Sequence, residues 1–162
     1  MKNLLAKVLG YGQKLQLSET WTFTLRDVNT GVERKFVYKN LIPTAGRAAI
    51  ANQLTNVAPS PNPLRVNFTS LGTGVTAPAN GDTQLQTETF RKAIASATNA
   101  SNIAYMTAFY TAPEVSGTFR EAGLHIAATG TANSGTLFSR VAINITKSVS
   151  ETLTIDYTIT IT

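Results

Sequence analysis

Apolar and polar residues alternate without a break over the last stretch of the chain, Glu151 to Thr162. Successive side chains of a β-strand point to opposite faces, so the pattern predicts a half-buried strand. Its polar face is mostly threonine, which favours strands and carries almost no charge. No polar tail follows the last pair, and we therefore expect this strand to be paired inside a sheet. The apolar members of the pattern are Leu153, Ile155, Tyr157, Ile159 and Ile161.

Shorter strand signals recur along the rest of the chain, and one helix signal interrupts them. The helix is predicted from Thr44, which can cap it after Pro43, to about Asn56, with alanines, Ile50 and Leu54 on a narrow apolar face. No β-α-β alternation is present. The sequence therefore predicts an all-β fold, an antiparallel β-sandwich or jelly-roll-like barrel of about eight strands, with one helix inserted after the first hairpin. The other predicted strands are Glu19–Arg26, Val32–Tyr38, Leu64–Leu71, Glu88–Ala97, Ile103–Tyr110, Phe119–Ala127 and Leu137–Ile145.

Two aromatic features refine this picture. Trp21 lies in an alternating strand, where an aromatic residue belongs more often to the core than to a ligand platform. The stretch from Ile103 to Tyr110 carries apolar residues on both faces, with Tyr105 and Phe109 on one and Met106 on the other. It predicts a strand covered on both sides, by a second sheet or by a neighbouring subunit.

Composition narrows the class of protein. With 162 residues the chain is long enough for one domain with a real core. Only 14% of the residues are charged, which suggests that partner subunits cover much of the surface. Cysteine is absent, so neither a disulfide framework nor a thiolate metal site is expected. No apolar run approaches the ~20 residues of a membrane span, and no membrane partner is expected.

The net charge of +5 lies entirely in the first 50 residues. An acidic partner for the N-terminal part follows from this imbalance, either an acidic protein surface or nucleic acid. Nucleic acid is disfavoured, because basic residues form no cluster beyond Arg34-Lys35 and no aromatic stacking motif is present.

Residues 3–9 have leucines and a valine at helical spacing, with Gly10 in the stop position. We interpret residues 1–14 as an N-terminal docking arm and residues 15–162 as a single β-sandwich domain. A frayed terminus or a signal peptide are the competing interpretations. The arm residues expected to make contact are Lys2, Leu4, Leu5, Lys7, Val8, Leu9 and Lys14.

Candidate chemistry is sparse. The single histidine, His125, lies between Leu124 and Ile126, and we expect it on the solvated face of a strand without a catalytic role. The Gly72-Thr73-Gly74 segment lacks the rest of a phosphate-binding loop and is interpreted as a turn that needs positive φ. No catalytic, cofactor or metal site is predicted, although two acids distant in sequence could still meet in space.

Four charged residues stand inside otherwise apolar strand segments. Arginine and glutamate are seldom buried unless they are paired. Our hypothesis is a structural ion-pair network that fixes strand register or a subunit interface, and the alternative is a solvated face. The four residues are Glu88, Arg91, Arg120 and Glu121.

A set of short segments in a fixed order resembles a widespread group of tailed-bacteriophage structural proteins. The resemblance covers Asn40 to Thr162 and includes the alternating final strand. Its segments are Asn40-Leu41-Ile42-Pro43-Thr44-Ala45-Gly46-Arg47, Leu71-Gly72-Thr73-Gly74, Ala77-Pro78, Asp82-Thr83, Glu88 with Arg91-Lys92, Arg120-Glu121-Ala122-Gly123-Leu124 and Gly135-Thr136-Leu137-Phe138-Ser139-Arg140.

The resemblance implies a non-enzymatic virion component that is assembled in the bacterial host cytoplasm. We expect an exterior decoration (cement) protein that forms a homo-oligomer, a trimer by family analogy, and that binds other virion proteins such as the major capsid or tail protein. A tail-fibre or baseplate adaptor is the first alternative. A carbohydrate-binding module acting through loops such as Pro59–Pro63 or Thr73–Gly81 is the second.

Overall fold

The computed structural model describes residues 16–55 and 64–162. This part of the chain forms nine strands and one helix, and the strands make two antiparallel sheets that face each other. One sheet has the order β2-β1-β9-β6-β5 and the other β4-β3-β7-β8, which confirms the predicted all-β sandwich. The elements are β1 Leu17–Asp27, β2 Glu33–Tyr38, α1 Thr44–Thr55, β3 Val66–Gly72, β4 Glu88–Ala93, β5 Ser96–Ala100, β6 Ile103–Tyr110, β7 Gly117–Ile126, β8 Thr136–Lys147 and β9 Glu151–Ile161.

Strand β9 is the centre of the five-stranded sheet, as its alternation predicts. It pairs with β1 from Glu151 to Ile161 and with β6 from Leu153 to Thr160. The aliphatic and aromatic residues from Leu153 to Ile159 are buried, while the threonines between them are partly exposed on the opposite face. Both edges of β9 are therefore satisfied by backbone hydrogen bonds, and one of its faces lies on the core.

The core lies between the sheets and is rich in aromatic residues. The ring of Trp21 is fully buried and stacks on Phe23 with ring centroids 5.6 Å apart. Tyr157 meets the same indole edge-on at 5.2 Å. Such pairs contribute about 0.5–1.5 kcal/mol beyond the burial of their area. The interpretation of Trp21 as a core residue is confirmed.

The predicted strand Glu88–Ala97 is wrong as a single element. β4 ends at Ala93 and pairs with β3, whereas β5 begins at Ser96 and pairs with β6 in the other sheet. Ile94 and Ala95 carry the chain across, and their N–H groups donate to Asn67 O and Thr107 O at 3.0 and 2.8 Å. Neither glycine nor proline marks this crossing, so the sequence shows no turn signal at the change of sheet.

Helix α1 is confirmed from Thr44 to Thr55, but its packing differs from the prediction. Gly46 is its buried residue, and a side chain there would collide with the carbonyl oxygen of Phe138 in β8. Ala49 and Ile50 contact the core, whereas Leu54 is 81% exposed. The first half of the helix therefore lies against β8, and the expected apolar face is only partly used.

Strand β6 has one covered face within the described chain. Met106, Ala108 and Tyr110 point into the core, while Tyr105 and Phe109 are 40% and 42% exposed on the other face. No second layer from residues 16–55 or 64–162 covers this outer face, so these residues supply only one of the two predicted covers.

The predicted docking arm, residues 1–14, lies outside the described residues, as does the loop Pro59–Pro63. Among the helices of the described part, none has the length and apolarity that a membrane crossing requires.

Candidate functional site

The outer face of the four-stranded sheet carries buried charges beneath the long loop that joins β3 to β4. In β7, Ala122 and Leu124 belong to the core, so strand alternation places Glu121, Gly123 and His125 on the opposite face. Glu121 and Gly123 are nevertheless fully buried, because residues of the loop 73–87 cover them. His125 is also fully buried, beside Ser70 of β3. The cover explains how a polar face of a strand can lack solvent.

An ion pair between Glu121 and Arg140 lies at the centre of this face. Arg140 donates from Nε to Oε2 of Glu121 at 3.0 Å, and its NH2 lies 2.8 Å from the same oxygen. Both side chains are almost completely buried. The two residues belong to the neighbouring strands β7 and β8, so the paired charges lie side by side across the sheet.

The Glu121 carboxylate also holds the loop through its backbone. It accepts hydrogen bonds from the N–H groups of Gly74 at 3.1 Å, Gln86 at 3.0 Å and Thr87 at 2.7 Å. Hydrogen bonds to an ionised acceptor are stronger than those between neutral groups. Residues at both ends of the loop are therefore fastened to one carboxylate.

Arg140 fastens the middle of the same loop. Its NH1 donates to Asp82 Oδ2 at 2.6 Å, and its NH2 donates to the carbonyl oxygen of Thr76 at 3.0 Å. We call Asp82, Glu121 and Arg140 the loop-anchoring cluster. The cluster therefore bonds the loop near its beginning, in its middle and near its end.

Gly72 and Gly74 are required for space and not for backbone conformation. Neither has positive φ; within the described chain, glycine adopts positive φ at positions 31, 117 and 135. A Cβ on Gly72 would lie 2.7 Å from Oε1 of Glu121, and one on Gly74 would collide with the same oxygen. The expected positive-φ turn is therefore wrong. The two glycines lack side chains where the Glu121 carboxylate needs the space.

A second buried ion pair lies within β4. Arg91 Nε and Glu88 Oε1 are 2.6 Å apart, and both side chains are almost without solvent exposure. Arg91 also donates to the carbonyl oxygen of Ser134 at 2.8 Å, and Asn133 N–H donates to Glu88 at 3.1 Å. Burial alone would raise the pKa of Glu88, but these hydrogen bonds and the Arg91 charge lower it below its usual value.

The four charges singled out from the sequence are thus placed differently from one another. Glu88 pairs with Arg91, and Glu121 pairs with Arg140, which the sequence analysis had not selected. Arg120 is exposed and makes no salt bridge within the described residues, so it does not join either pair.

Arg140 and Asp82 were missed as site residues. Arg140 satisfied the criterion used for Arg120, a charge inside an apolar strand, and that signal could have found it. Asp82 had no comparable signal, because a loop carboxylate is ordinarily solvated.

The expectation that His125 lies on a solvated face is wrong. It is fully buried, and its Nε2 is 2.7 Å from Ser70 Oγ on the neighbouring strand β3. Burial, together with the nearby Arg91 charge, lowers the pKa of His125 to about 4, against an opposing effect of Glu88. The imidazole is therefore neutral near pH 7, and it lies near the buried Glu88–Arg91 pair of β4.

The described residues contain no group of three or more histidine, aspartate or glutamate side chains placed to hold a metal ion. Solvent also reaches neither carboxylate of the Glu121–Arg140 and Glu88–Arg91 pairs. The buried charges of this face bind the loop and do not reach the surface. Surfaces that could contact a partner lie elsewhere on the sandwich.

An apolar groove of about 230 Å³ opens at one end of the sandwich, between the two sheets and beside α1. Side chains from both sheets and the helix line it, and every one of them is apolar. We call it the apolar end groove. Its lining residues are Leu17, Ile50, Leu64, Val66, Ala104, Met106, Phe138, Ile159 and Ile161.

A second groove, of about 400 Å³, lies on the outer face of the five-stranded sheet. It has threonines, a charged pair and one exposed aromatic ring. We call it the threonine groove. Its lining residues are Thr24, Arg26, Val28, Glu33, Phe109, Thr152 and Thr154.

Comparisons of this chain with protein-family models, with curated proteins and with solved structures gave no match. These comparisons therefore indicate no function for the chain.

Replacing Glu121 by Gln should lower the free energy of unfolding by about 3–5 kcal/mol, because it leaves Arg140 buried without its main partner. Chemical denaturation at neutral pH measures the loss. Arg120→Ala is the matched control on the preceding residue, and its exposed side chain should cost under about 0.5 kcal/mol. Equal, small losses in both variants would contradict the anchoring role of the Glu121–Arg140 pair.

The folded state should lose stability as the pH falls from about 6.5 to about 4, the interval between the unfolded and folded pKa values of His125. A lowered pKa means that the unfolded state binds the proton more tightly, so this stability is complete above pH 6.5 and is lost on acidification. The full interval corresponds to a loss of about 3 kcal/mol. His125→Gln, which can still bond Ser70, should remove this part of the pH dependence.

The comparison of wild type with His125→Gln is necessary because Glu19 acts in the opposite direction. Burial raises the pKa of Glu19 to about 7, so the folded state holds this proton more tightly than the unfolded state. Glu19 therefore makes the protein less stable as the pH rises from about 4.5 to about 7. The difference between wild type and variant, measured by denaturation at several pH values, cancels the Glu19 effect. A difference that stays constant between pH 7 and pH 4.5 would contradict a buried, neutral His125.

Proposed function

We propose that this protein is a non-enzymatic structural component of a bacteriophage virion, an exterior decoration protein that acts as a homo-oligomer. The observation that carries the proposal is the apolar end groove. Within the described residues it is an uncovered, wholly apolar site, on a chain that is poor in charged residues. Apolar surface of this kind marks a contact site, since its burial yields about 25 cal/mol per Å².

The apolar surface extends beyond the groove. Leu54 of α1 is exposed, and Leu64 and Ile161 at the rim of the groove are partly exposed. A second copy of this chain is the occupant that we propose, because a homo-oligomer would cover the same patch on every copy. Covering the rim residues together with the groove gives an interface an apolar centre, as stable interfaces require.

The position of the groove also supports attachment to a larger particle. Leu17, near the beginning of the described chain, lines the groove. The sequence that precedes the described part contains three lysines, at positions 2, 7 and 14. In the proposal, the end of the sandwich that contacts the second copy also faces an acidic shell or tail surface.

The resemblance to tailed-bacteriophage structural proteins supports the virion assignment, and the structure gives part of its pattern a physical meaning. Gly72, Gly74 and Asp82 in the loop contact Glu121 or Arg140, which come from two other segments of the pattern. The shared residues therefore describe how the loop is anchored, which is a property of the fold. The place on the virion is inferred from the contact surfaces.

Copy number in purified particles tests the proposed function. A decoration protein should be present in hundreds of copies per particle, measured by quantitative mass spectrometry against the major capsid protein. A handful of copies would instead favour a tail-fibre or baseplate adaptor. Absence from the particle would overturn the virion proposal.

Ile161→Asp should weaken self-association of the full-length chain by at least about tenfold, because a carboxylate at the rim of the apolar end groove would be desolvated in the interface. Sedimentation velocity at several concentrations measures the shift, with a trimer expected for the wild type. Val37→Asp is the matched control: Val37 is 61% exposed, on the outer face of β2 and away from the groove. A monomeric wild type, or equal effects of the two variants, would contradict the groove as the contact site.

A further inference from the structure

The threonine groove lies away from the proposed attachment end. Along β9, its residues Thr152 and Thr154 are on the outer face, whereas Ile159 and Ile161 of the apolar end groove are on the inner face. Five residues of strand separate the nearest members, which is about 16 Å. The two grooves therefore belong to opposite faces and opposite ends, and both can be occupied at once.

The walls of the threonine groove come from strands on either side of β9. Phe109 of β6 lies opposite Thr154, and Arg26 of β1 lies opposite Thr152. Two strand spacings separate β6 from β1, so the walls stand about 10 Å apart. The volume of about 400 Å³ lies within the range of small-molecule sites.

Phe109 supplies an apolar plane at this groove. Its side chain is 42% exposed, although strand alternation would allow a polar residue at this outward position. An exposed ring beside hydroxyl groups suits a ligand that has both an apolar face and polar edges. The C–H-bearing face of a pyranose ring packs on an aromatic ring in this way.

The floor and the second wall supply hydrogen-bonding groups. Thr24 and Thr154 are direct cross-strand neighbours, so their side chains are about 5 Å apart. A threonine hydroxyl both donates and accepts, as the hydroxyls of a sugar do. Spaced hydroxyls on a rigid sheet can therefore bond neighbouring hydroxyls of one sugar unit.

The charges at the groove favour a neutral ligand. Arg26 and Glu33 approach to 3.9 Å with both side chains largely exposed, so the pair is weak and each partner can turn to a ligand. Lys35 lies opposite Thr24, and Asp156 is two residues beyond Thr154 on the same face. The two positive and two negative charges leave no net field to select an anion or a cation.

We propose that the threonine groove binds a neutral sugar unit, with its ring on Phe109 and its hydroxyls bonded to the threonines, Arg26 and Glu33. The site differs from the loops that the sequence suggested for glycan binding. Loop residues 73–81 belong to the segment anchored by Glu121 and Arg140, and residues 59–63 lie outside the described chain. The proposal does not depend on the virion assignment, since it concerns the isolated protein.

The test is titration of the full-length protein with neutral hexasaccharides of glucose, galactose and mannose, followed by calorimetry or NMR. At about 10 mM saccharide, a site with a Kd near 1 mM is nine-tenths occupied. At least one of these saccharides should bind, and Phe109→Ala should weaken its binding at least about tenfold. Tyr105→Ala is the matched control, because Tyr105 is similarly exposed on the same face of β6 but does not line the groove.

Two results would overturn the sugar site. One is the absence of binding by all three neutral hexasaccharides, or binding of a sulfated oligosaccharide alone. The other is an equal loss of affinity in Phe109→Ala and Tyr105→Ala, which would place binding elsewhere on the sheet. Neither result bears on the copy number in particles, so failure here is distinguishable from failure of the virion proposal.

Discussion

The buried ion pair between Glu121 and Arg140 is the interaction on which the outer face of the four-stranded sheet depends. Removing two charges from water costs several kcal/mol per ion, and the pair is tolerated only because other groups complete it. Three backbone N–H groups of the loop satisfy the carboxylate, and Asp82 and Thr76 satisfy the guanidinium. The loop and the pair therefore support each other: the loop shields the charges from solvent, and the charges add to the loop's other anchors, such as the hydrogen bond from Gln84 Nε2 to Gly135 O.

The alternating pattern of β9 was sufficient to predict a half-buried strand, because the burial of one face depends on neighbouring residues. Its pairing inside a sheet was expected from the absence of a polar tail after the strand, and both of its edges are paired. The split between β4 and β5 was not predictable in this way. Ile94 and Ala95 change sheets without a glycine or a proline to mark a turn. A strand pattern reports which face is apolar and not which of two sheets the backbone joins.

The candidate site was predictable only in part, because many of its contacts join residues that are far apart in the sequence. Charges within apolar strands correctly indicated that Glu88, Arg91 and Glu121 could be buried and paired. The choice of Arg140 as the partner of Glu121 depends on strand pairing. His125 is buried beside Ser70 and near Arg91 and Glu88, which are far from it in the sequence. Alternation placed His125 outward correctly in a geometric sense, but an outward residue is not solvated when distant parts of the chain cover it.

The two sheets differ in what covers their outer faces, and this difference separates structural from contact surfaces. The loop 73–87 covers part of the outer face of the four-stranded sheet, and the buried charges of that face are paired with one another. The outer face of the five-stranded sheet has no comparable layer within the described residues, and Tyr105 and Phe109 stay exposed there. This threonine-rich face carries two exposed aromatic rings, and its two positive and two negative side chains balance. The exposed ring of Phe109 is available to a ligand on this sheet, whereas the buried charges on the outer face of the other sheet bind the loop.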